Sequence, residues 1–374
     1  MSWPKAASLR RSRARTSTRR RSFEPPSKQV VVLANPTLQA ELDVPRNLTD
    51  ERVIRLPHGR HVKTPPLTTL APWVIFAVLF IVYVGLQPNV VQLASLGNIG
   101  ITALILAVVA TGQTIVVLTA GIDLSVGGVM SLGGAILATQ MHTSSIAPWT
   151  IAVLAIGAAI GATNGVIITS LRIQPFIVTL ATWSILDGAA LLVLPAAGGA
   201  VPTGFANFIY GDVGGFPTSL VLIAALLLVW LWLKRTRLLR RIYAIGSDEE
   251  SAFLSGLPIS STKIAAYTLS GLFAMAAAVL YTMETSSGDP TSGDPFILAS
   301  VAAVVIGGTS LFGGRGGAGG TLAGALVLTL IADVMLAANV SQFWTPIVQG
   351  ALMIIAVVAG AIATQRARQR EQAL

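Results

Sequence analysis

The sequence predicts an all-α, polytopic membrane protein with about ten transmembrane helices and both termini in the cytoplasm. Apolar segments of about twenty residues recur along the chain, and this is the length at which a helix spans a bilayer. Hydrophobic residues make up 53% of the 374 residues and charged residues only 11%. The Lys and Arg residues outside the N-terminal region fall in a few short clusters between the apolar segments. This composition excludes a soluble domain built around one large core.

Ten segments are apolar enough to be predicted as spans, with bounds good to a few residues. They are Pro72–Leu86, Leu96–Leu118, Ser125–Met141, Pro148–Ser170, Phe176–Leu194, Thr218–Leu233, Ile264–Met283, Phe296–Phe312, Gly320–Ala338 and Phe343–Ala363.

The distribution of basic residues predicts the orientation of these spans. With the N-terminus inside, the inner connections contain Arg172, the basic residues of 234–263 and Arg315, and the tail adds three arginines. The outer connections contain no Lys or Arg. Cytoplasmic loops of membrane proteins are enriched in these residues. An even number of spans with both ends inside follows.

Residues 1–70 form a separate N-terminal extension that is rich in Arg and Pro. Of the 25 Lys and Arg residues, 14 precede Thr64. Low hydrophobicity and high charge predict disorder. No adequate apolar stretch follows Arg20-Arg21, so we do not expect an export signal. We expect a cytoplasmic extension beside anionic lipid rather than a nucleic-acid-binding segment. Residues 71–363 form the transmembrane domain, and residues 364–374 form a basic cytoplasmic tail.

The segment Leu118–Ala135 interrupts the apolar pattern and carries one carboxylate. We expect Gly121 to supply the turn and Asp123 to cap a helix beginning near Leu124. Gly127, Ser131 and Ala135 recur at every fourth position and predict a small-residue face for close helix packing. A helix break of this kind lines the pathway in many transporters. The alternative is a tight turn between packed helices.

The longest inner connection, residues 234–263, predicts a short helix outside the membrane. Ser247 followed by Glu250 matches a capping box, and Gly256 is placed to end the helix after about two turns. Apolar Ala252, Phe253 and Leu254 lie on this helix. They either contact a soluble partner or pack back on the protein's own helix ends.

The glycine-rich segment Val304–Gly324 predicts a close inner turn rather than a nucleotide site. A phosphate-binding loop requires Lys after its last glycine, and none follows here. Gly320 and Gly324, one helical turn apart, suit close helix packing.

The remaining polar residues do not indicate an enzyme or a metalloprotein. The chain has no Cys and three His, which excludes disulfides and thiolate metal sites. No catalytic arrangement is visible, so we predict no enzymatic activity, cofactor or metal. For Asn164, beside Gly161 and Gly165, we favour an interhelical hydrogen bond. Polar residues predicted to face the bundle interior are Asn98, Gln113, Asn164, Asp187 and Asp333.

Several motifs together resemble the ribose-type permease subunits of ATP-binding-cassette (ABC) importers, in order and spacing from Pro72 to Ala363. The motifs are G-I-D-L-S-V-G-G at Gly121–Gly128, Asn164-Gly165, P-F-I-V-T-L at Pro175–Leu180, Y-A-I-G…E-E…L-S-G at Tyr243–Gly256 and A-A-V-V-I-G-G-T-S-L-F-G-G-R-G at Ala302–Gly316. The resemblance implies a cytoplasmic ATPase subunit, an extracytoplasmic sugar-binding protein and a second permease subunit, expected to be a second copy.

The resemblance also assigns residues to roles. The loop 234–263 becomes the coupling segment, with Ser247, Glu249, Glu250, Phe253, Leu254 and Gly256 contacting the ATPase. Candidates for the substrate path are Asp123, Ser125, Asn164, Asp187 and Ile297. The chain has Ile297 where the family usually has Glu, and Asp187-Gly188 where Arg-Gly is common. We expect Ile297 at the outer end of its span, on the side of solute delivery.

These observations predict a pore subunit of an importer for a monosaccharide, a ribose-like pentose or a hexose, in the cell (plasma or inner) membrane. Nucleosides and branched-chain amino acids stay open as alternative solutes. A secondary transporter driven by an ion gradient would use Asp123, Asp187 and Asp333, but would leave the short apolar helix of the loop unexplained.

Overall fold

The computed structural model describes residues 66–351 together with 354, 355 and 358, and it is mostly helical. The α-helices are α1 (Pro66–Leu86), α2 (Leu93–Val117), α3 (Ser125–Gln140), α4 (Ile146–Leu171), α5 (Pro175–Val193), α6 (Thr203–Ala206), α7 (Thr218–Arg235), α8 (Arg237–Ser247), α9 (Glu249–Leu254), α10 (Ile259–Thr285), α11 (Asp294–Ile306) and α12 (Ala318–Ala337). A small antiparallel hairpin, β1 (Asp212–Val213) and β2 (Phe216–Pro217), lies between α6 and α7.

Six helical segments of the described residues are long and apolar enough to cross a membrane. They are α2, residues Thr143–Leu171 including α4, α5, α7, α10 and α12. The described part of α1 and helix α11 are apolar but shorter. A helix satisfies its backbone hydrogen bonds internally, which is what a segment in lipid requires. The chain is therefore a multi-pass helical membrane protein.

The first nine predicted spans each overlap a helix, and the largest differences at the ends concern α1, α11 and α10, which begins five residues before the predicted Ile264. Helix α1 begins at Pro66, six residues before the predicted start of the span. Helix α11 ends at Ile306 and not near Phe312, because Gly308 adopts φ +80 and turns the chain. Of the tenth predicted span, residues 345–351 are helical. The predicted extension before residue 66, the end of the tenth span and the C-terminal tail lie outside the described residues.

Helix α10 occupies the centre of the bundle and packs against α2, α3 and α4. Its contact with α4 uses glycines one turn apart. A Cβ on Gly157 would lie 2.6 Å from the Gly271 carbonyl oxygen, and one on Gly165 would lie 2.6 Å from the Ile264 Cα. Gly161, between them, lies against the Tyr267 carbonyl. Small residues at this spacing allow helix backbones to approach closely in lipid.

The outer helices expose large apolar side chains. Ile81 on α1, Leu192 on α5 and Trp232 on α7 are 70%, 87% and 66% exposed. A water-soluble surface rarely carries contiguous apolar patches of this kind. These faces suit contact with lipid tails or with another membrane-embedded protein.

Candidate functional site

The break between α2 and α3 turns at Ala120. Ala120 has φ +62, so an alanine and not the expected glycine takes the left-handed conformation. Gly121 is required for a different reason, because a Cβ there would lie 2.5 Å from the Tyr267 hydroxyl oxygen. The expectation of a glycine turn is therefore wrong in detail, although the break itself is confirmed.

Asp123 is fully buried in this break and holds the first turn of α3. Its Oδ1 accepts hydrogen bonds from the Ser125 N–H, at 3.0 Å, and from the Ser125 hydroxyl. Helix α3 begins at Ser125, so Leu124 and not Asp123 takes the N-cap position, and the prediction that Asp123 caps this helix is wrong in this detail. With the side-chain amide of Gln113 oriented to suit its neighbours, its nitrogen donates to the backbone carbonyl of Asp123 at 3.0 Å. Its oxygen accepts from the backbone N–H of Asp123 at 3.3 Å. Asp123 is thus fixed through both backbone and side chain.

Asn164, on α4, joins its own helix to α3 and to α5. Its Nδ2 donates to the Ser125 hydroxyl of α3 at 2.9 Å, and its Oδ1 accepts from the Thr182 hydroxyl of α5 at 2.6 Å. The predicted interhelical hydrogen bond of Asn164 is confirmed, and it is one of a pair. Together with the carboxylate of Asp123, these side chains form a polar chain that is buried from Asp123 to Asn164 and ends at the half-buried Thr182.

Two hydroxyls of α10 lie near Asp123. The Tyr267 hydroxyl is buried and has no hydrogen-bond partner among the described residues, whereas the buried Ser270 hydroxyl lies within reach of the Asp123 carboxylate. A buried polar atom without a partner costs about 1–3 kcal/mol. The Tyr267 hydroxyl lies beside the break, against Gly121.

The connection from α10 to α11 runs back along α3 toward the break. Gly288 lies against Ala138, near the end of α3, whereas Gly293 lies against Gly127, in its first turn. The Gly293 N–H donates to the Ser131 hydroxyl at 3.0 Å. We call this connection, residues 286–293, the re-entrant segment. The expected small-residue face of α3 therefore packs against the re-entrant segment as well as against helices.

Ile297 lies in the first turn of α11 and is buried against Gly127. That turn lies beside the first turn of α3 and not beside the loops at the other end of α3. Helix α11 begins only after the re-entrant segment, and Ile297 lies at its start as predicted, whereas the side of the membrane that this end faces stays a prediction. Ile297 consequently shares a neighbourhood with Asp123, Ser125 and Asn164.

Asp187 lies somewhat apart from this group, half-buried on α5 and close to Asp294. One turn earlier, Trp183 Nε1 donates to Asp294 Oδ1 at 3.1 Å. Trp183 and Asp294 were missed by the sequence analysis. Their partnership depends on the re-entrant segment, for which the sequence carries no local pattern.

The loop 234–263 forms two helices, α8 and α9. The predicted capping box is wrong: Ser247 ends α8, where its hydroxyl donates to the Tyr243 carbonyl at 2.8 Å. The cap of α9 is Asp248, whose carboxylate accepts from the N–H groups of Glu250 and Ser251 at 3.1 and 3.2 Å. Hydrogen bonds from Ser251 lower the pKa of Asp248 from its ordinary value.

Helix α9 presents an apolar tip. Phe253 and Leu254 are 69% and 78% exposed, whereas Ala252 is buried. The helix ends as predicted at Gly256, with φ +76. Glu249 pairs with Lys263 of α10 at 2.7 Å. The sequence left two interpretations open, contact with a soluble partner or packing on the protein itself. Within the described part of the chain, only Ala252 packs on the protein itself.

Three glycines join the end of α8 to the break. We call the contact of Gly246, Gly313 and Gly314 with residues 118–120 the glycine junction. Gly246 lies directly against the Leu118 carbonyl oxygen, which also accepts from the Gly314 N–H at 3.1 Å. A Cβ on Gly313 would lie 2.7 Å from the Gly246 carbonyl oxygen and 2.9 Å from the Ala120 nitrogen.

Tyr243 reinforces the glycine junction from the side. Its hydroxyl donates to the Gly316 carbonyl at 2.6 Å. Burial raises the pKa of Tyr243 to about 12, so the phenol stays a donor at neutral pH. The junction connects α9, two residues beyond Ser247, with the break that holds Asp123. The described residues contain no group of three His, Cys, Asp or Glu that could hold a metal ion.

The helices that are long and apolar enough to cross a membrane place the chain in the class of polytopic helical membrane proteins. A break between such helices around a buried carboxylate is typical of transport proteins. The chain belongs to the family described as "Branched-chain amino acid transport system / permease component", whose model matches residues 95–357. It is thus a multi-pass protein of the cell inner membrane.

Three curated relatives are similar to most of the chain. The Ribose import permease protein RbsC of Escherichia coli (strain K12) is 38% identical over 290 residues, which is 75% of this chain and 90% of the relative. Its namesake in Bacillus subtilis (strain 168) is 36% identical over 77% of this chain and 91% of the relative. The Fructose import permease protein FrcC of Rhizobium meliloti is 36% identical over 68% of this chain and 74% of the relative. No solved structure matches.

Proposed function

We propose that this chain is the permease subunit of an ABC importer and translocates a monosaccharide, a ribose-like pentose or a hexose. The observation that carries the proposal is α9, a capped helix of six residues with exposed Phe253 and Leu254. So short a helix is unstable alone, and its apolar tip suits a groove on a soluble partner. The glycine junction connects this helix to the break around Asp123.

The names of the relatives support the sugar as solute. Those at 36–38% identity are named for the import of ribose or fructose. The family description mentions branched-chain amino acids, but none of these three relatives carries such a name. Nucleosides, which contain ribose, are the second candidate.

The proposed topology has ten spans with both termini in the cytoplasm. The support is the partition of Lys and Arg, which leaves the outer connections without any. In this topology α9 and the glycine junction lie on the cytoplasmic side, where an ATPase subunit works. The chain itself has no phosphate-binding loop, so ATP is hydrolysed in the partner and this chain is not an enzyme.

The proposed mechanism is a displacement passed along rigid elements. When the ATPase closes on ATP, α9 moves with it and carries α8. Gly246, at the end of α8, lies against the Leu118 carbonyl. The end of α2 must therefore move with α8 or lose its contact with Gly246. The break then repositions the first turns of α3 and α11. Two packings of the break correspond to inward- and outward-facing states, whose populations the partners shift.

The residues proposed to line the path are those that the break brings together, with Asp187 beyond them. Asp123, Ser125 and Asn164 form one polar chain, and Ile297 packs beside it. A sugar-binding protein docks at the end of the bundle opposite α9. A second copy of the permease covers part of the exposed apolar surface and completes the pore.

An ion-coupled secondary transporter is the alternative from another class. It would use ionisable groups within the bundle, and buried Asp123 is available. Oδ1 of Asp123 is, however, occupied in holding the first turn of α3. This alternative also gives α9 and its exposed apolar tip no role.

The substitution Phe253→Asp tests the proposal. It places a charge in the apolar contact with the ATPase while leaving the cap and end of α9 unchanged. We expect association with the ATPase, measured by co-purification and titration in detergent, to weaken about thirtyfold, since a central interface side chain contributes about 2 kcal/mol.

The matched control is Phe216→Asp, on the hairpin beyond the opposite end of α7. Phe216 is 62% exposed, close to the 69% of Phe253, and its variant should bind the ATPase normally. Equal association of wild type and Phe253→Asp, with both inserted in the membrane, would remove α9 as the coupling helix.

A further inference from the structure

A second polar site lies at the end of the bundle opposite α9. It is a cavity of about 470 Å³ between the ends of α1, α2, α10 and α12. Most of its lining is polar and none of the sequence motifs marks it. The polar lining residues include Gln87, Asn98, Thr102, Tyr210, Glu284 and Asp333.

The length of α10 separates this cavity from the coupling helix. Ile259 begins α10 three residues after Gly256, and Glu284 is its penultimate residue. A straight helix rises about 1.5 Å per residue, so the two positions are about 37 Å apart. That distance exceeds the thickness of a hydrocarbon core of about 30 Å. The cavity thus lies where solute arrives if α9 faces the cytoplasm.

The two carboxylates of the cavity are held differently. Oε1 of Glu284 accepts from the Thr102 hydroxyl at 3.3 Å, and its backbone carbonyl accepts from the Tyr210 hydroxyl at 2.9 Å. Burial and the nearby Glu284 raise the pKa of Tyr210, which keeps this phenol a donor. Oδ2 of Asp333 is buried and has no partner among the described residues. Tyr83 lies near Asp333.

This lining selects a chemical class of ligand. The described lining residues include two carboxylates and no Lys, Arg or His. Carboxylates accept strong, charge-assisted hydrogen bonds from hydroxyl groups. Asn98 and Gln87 add amide donors and acceptors, and the tyrosines add aromatic faces. A phosphate or carboxylate group on the ligand would be repelled by the two carboxylates of this partly buried site. Such repulsion discriminates strongly against negatively charged ligands.

We propose that this cavity binds the incoming solute as an uncharged polyol, a free sugar, and excludes sugar phosphates and sugar acids. The inference deepens the proposed function and rests on it for the direction of transport. Glu284 and Asp333 accept the sugar hydroxyls, and Thr102 orients Glu284. The cavity then serves as a selective entry site in the permease itself, separate from the group around Asp123.

Binding to the full permease chain, without ATPase or binding protein, tests the cavity directly. The probes are D-ribose, D-fructose and D-allose, each at millimolar concentration, with saturation-transfer NMR on the protein in lipid nanodiscs. We expect at least one sugar to bind weakly and D-ribose 5-phosphate not to bind. In the double variant Glu284→Gln, Asp333→Asn the affinity should fall about tenfold or more, as expected for charge-assisted hydrogen bonds.

Two further variants keep the test decisive. Asp289→Asn removes a carboxylate of the neighbouring loop that bonds Thr291 outside the cavity, and it should bind like wild type. Thr102→Val preserves shape but frees Glu284, and it should give an intermediate loss even if the double variant does not fold. Wild-type affinity in Thr102→Val and the double variant, binding of the phosphate, or no binding of any sugar would overturn the proposal.

Transport separates failure of the cavity from failure of the proposed function. In proteoliposomes with the ATPase and binding protein, the binding protein sets the concentration at which uptake saturates. A defective cavity therefore lowers the maximal rate and leaves the half-saturating concentration unchanged. Unchanged maximal rates in the double variant would contradict the cavity alone, whereas wild-type uptake without ATP dependence would contradict the proposed function.

Discussion

At the scale of single residues, Asn164 acts as a bridge between helices. Its amide joins the Ser125 hydroxyl of α3 to the Thr182 hydroxyl of α5. Gly161 and Gly165, on either side of it, bring α4 close to α10. Both amide atoms of Asn164 are thus occupied by protein, so within the proposed path Asn164 holds α3 and α5 in place rather than binding the solute itself.

The substitution Asn164→Leu, which nearly keeps the volume, tests this role. It removes two interhelical hydrogen bonds, each contributing about 1 kcal/mol or less in lipid. We expect a lower thermal unfolding temperature in detergent and only a partial loss of uptake. Thr163→Val is the control, because the Thr163 hydroxyl bonds only the Ala159 carbonyl of its own helix. Full stability combined with abolished uptake in Asn164→Leu would instead place Asn164 in contact with the solute.

Residue-scale predictions from the sequence succeeded where the surroundings of a side chain left it one kind of role. The interhelical role of Asn164 followed from a polar residue among glycines in an apolar span. The cap of α9 did not follow, because Ser247 and Asp248 both suit the position and the sequence does not show where α8 ends. Ser247 is used by the last turn of α8, which leaves Asp248 to cap α9.

At the scale of elements, the glycine junction determines how α8 and α9 can act on the break. Gly246 has no room for a side chain, since a Cβ would meet the Leu118 carbonyl, which is backbone and cannot rotate away. Elements in such direct backbone contact move together or separate. The junction thereby transmits a displacement of α9 to the segment that holds Asp123.

The substitution Gly246→Ala tests the junction. Overpacking of this kind costs about 1–3 kcal/mol, and here it forces α8 away from the end of α2. We expect the variant to retain the ATPase, because the tip of α9 is unchanged, while uptake falls and ATP hydrolysis continues without transport. Uptake and ATP hydrolysis, measured on the same proteoliposomes, give the ratio that reports coupling.

Gly319→Ala is the matched control for the junction. Gly319 lies in the first turn of α12 within the same glycine-rich segment, and a Cβ there would meet nothing within 4 Å. Its variant should transport normally. A Gly246→Ala variant with a wild-type ratio of uptake to ATP hydrolysis would show that the junction does not transmit movement.

The same scale shows where the sequence was insufficient. Apolar length predicted the long helices well, because lipid demands continuous helical segments. It overestimated α11, since Leu311 and Phe312 were counted with the apolar segment although Gly307–Ser310 precede them and Gly308 turns the chain after Ile306. The re-entrant segment was not predicted, because its position depends on contacts with Gly127 and Ser131 of a distant helix.

At the scale of the whole molecule, three features lie along one axis of the bundle. The apolar tip of α9 is at one end, the break around Asp123 is joined to it by the glycine junction, and the polar cavity with Glu284 is at the far end of α10. The sequence predicted the class of the molecule and the first two features through motifs. The cavity escaped it, because its lining comes from the ends of four helices that no local pattern connects.

The central claim is that uptake is driven by ATP hydrolysis in a separate ATPase subunit. Measuring the energy source of uptake tests this claim most directly, because an ion-coupled transporter would instead be driven by an ion gradient. Uptake of a labelled sugar is measured in cells in which ionophores collapse the ion gradients while ATP is held constant, and again with ATP depleted and the gradients maintained. The account predicts that uptake continues in the first condition and stops in the second. Uptake that stops with the gradients and survives loss of ATP would contradict the account and identify a secondary transporter.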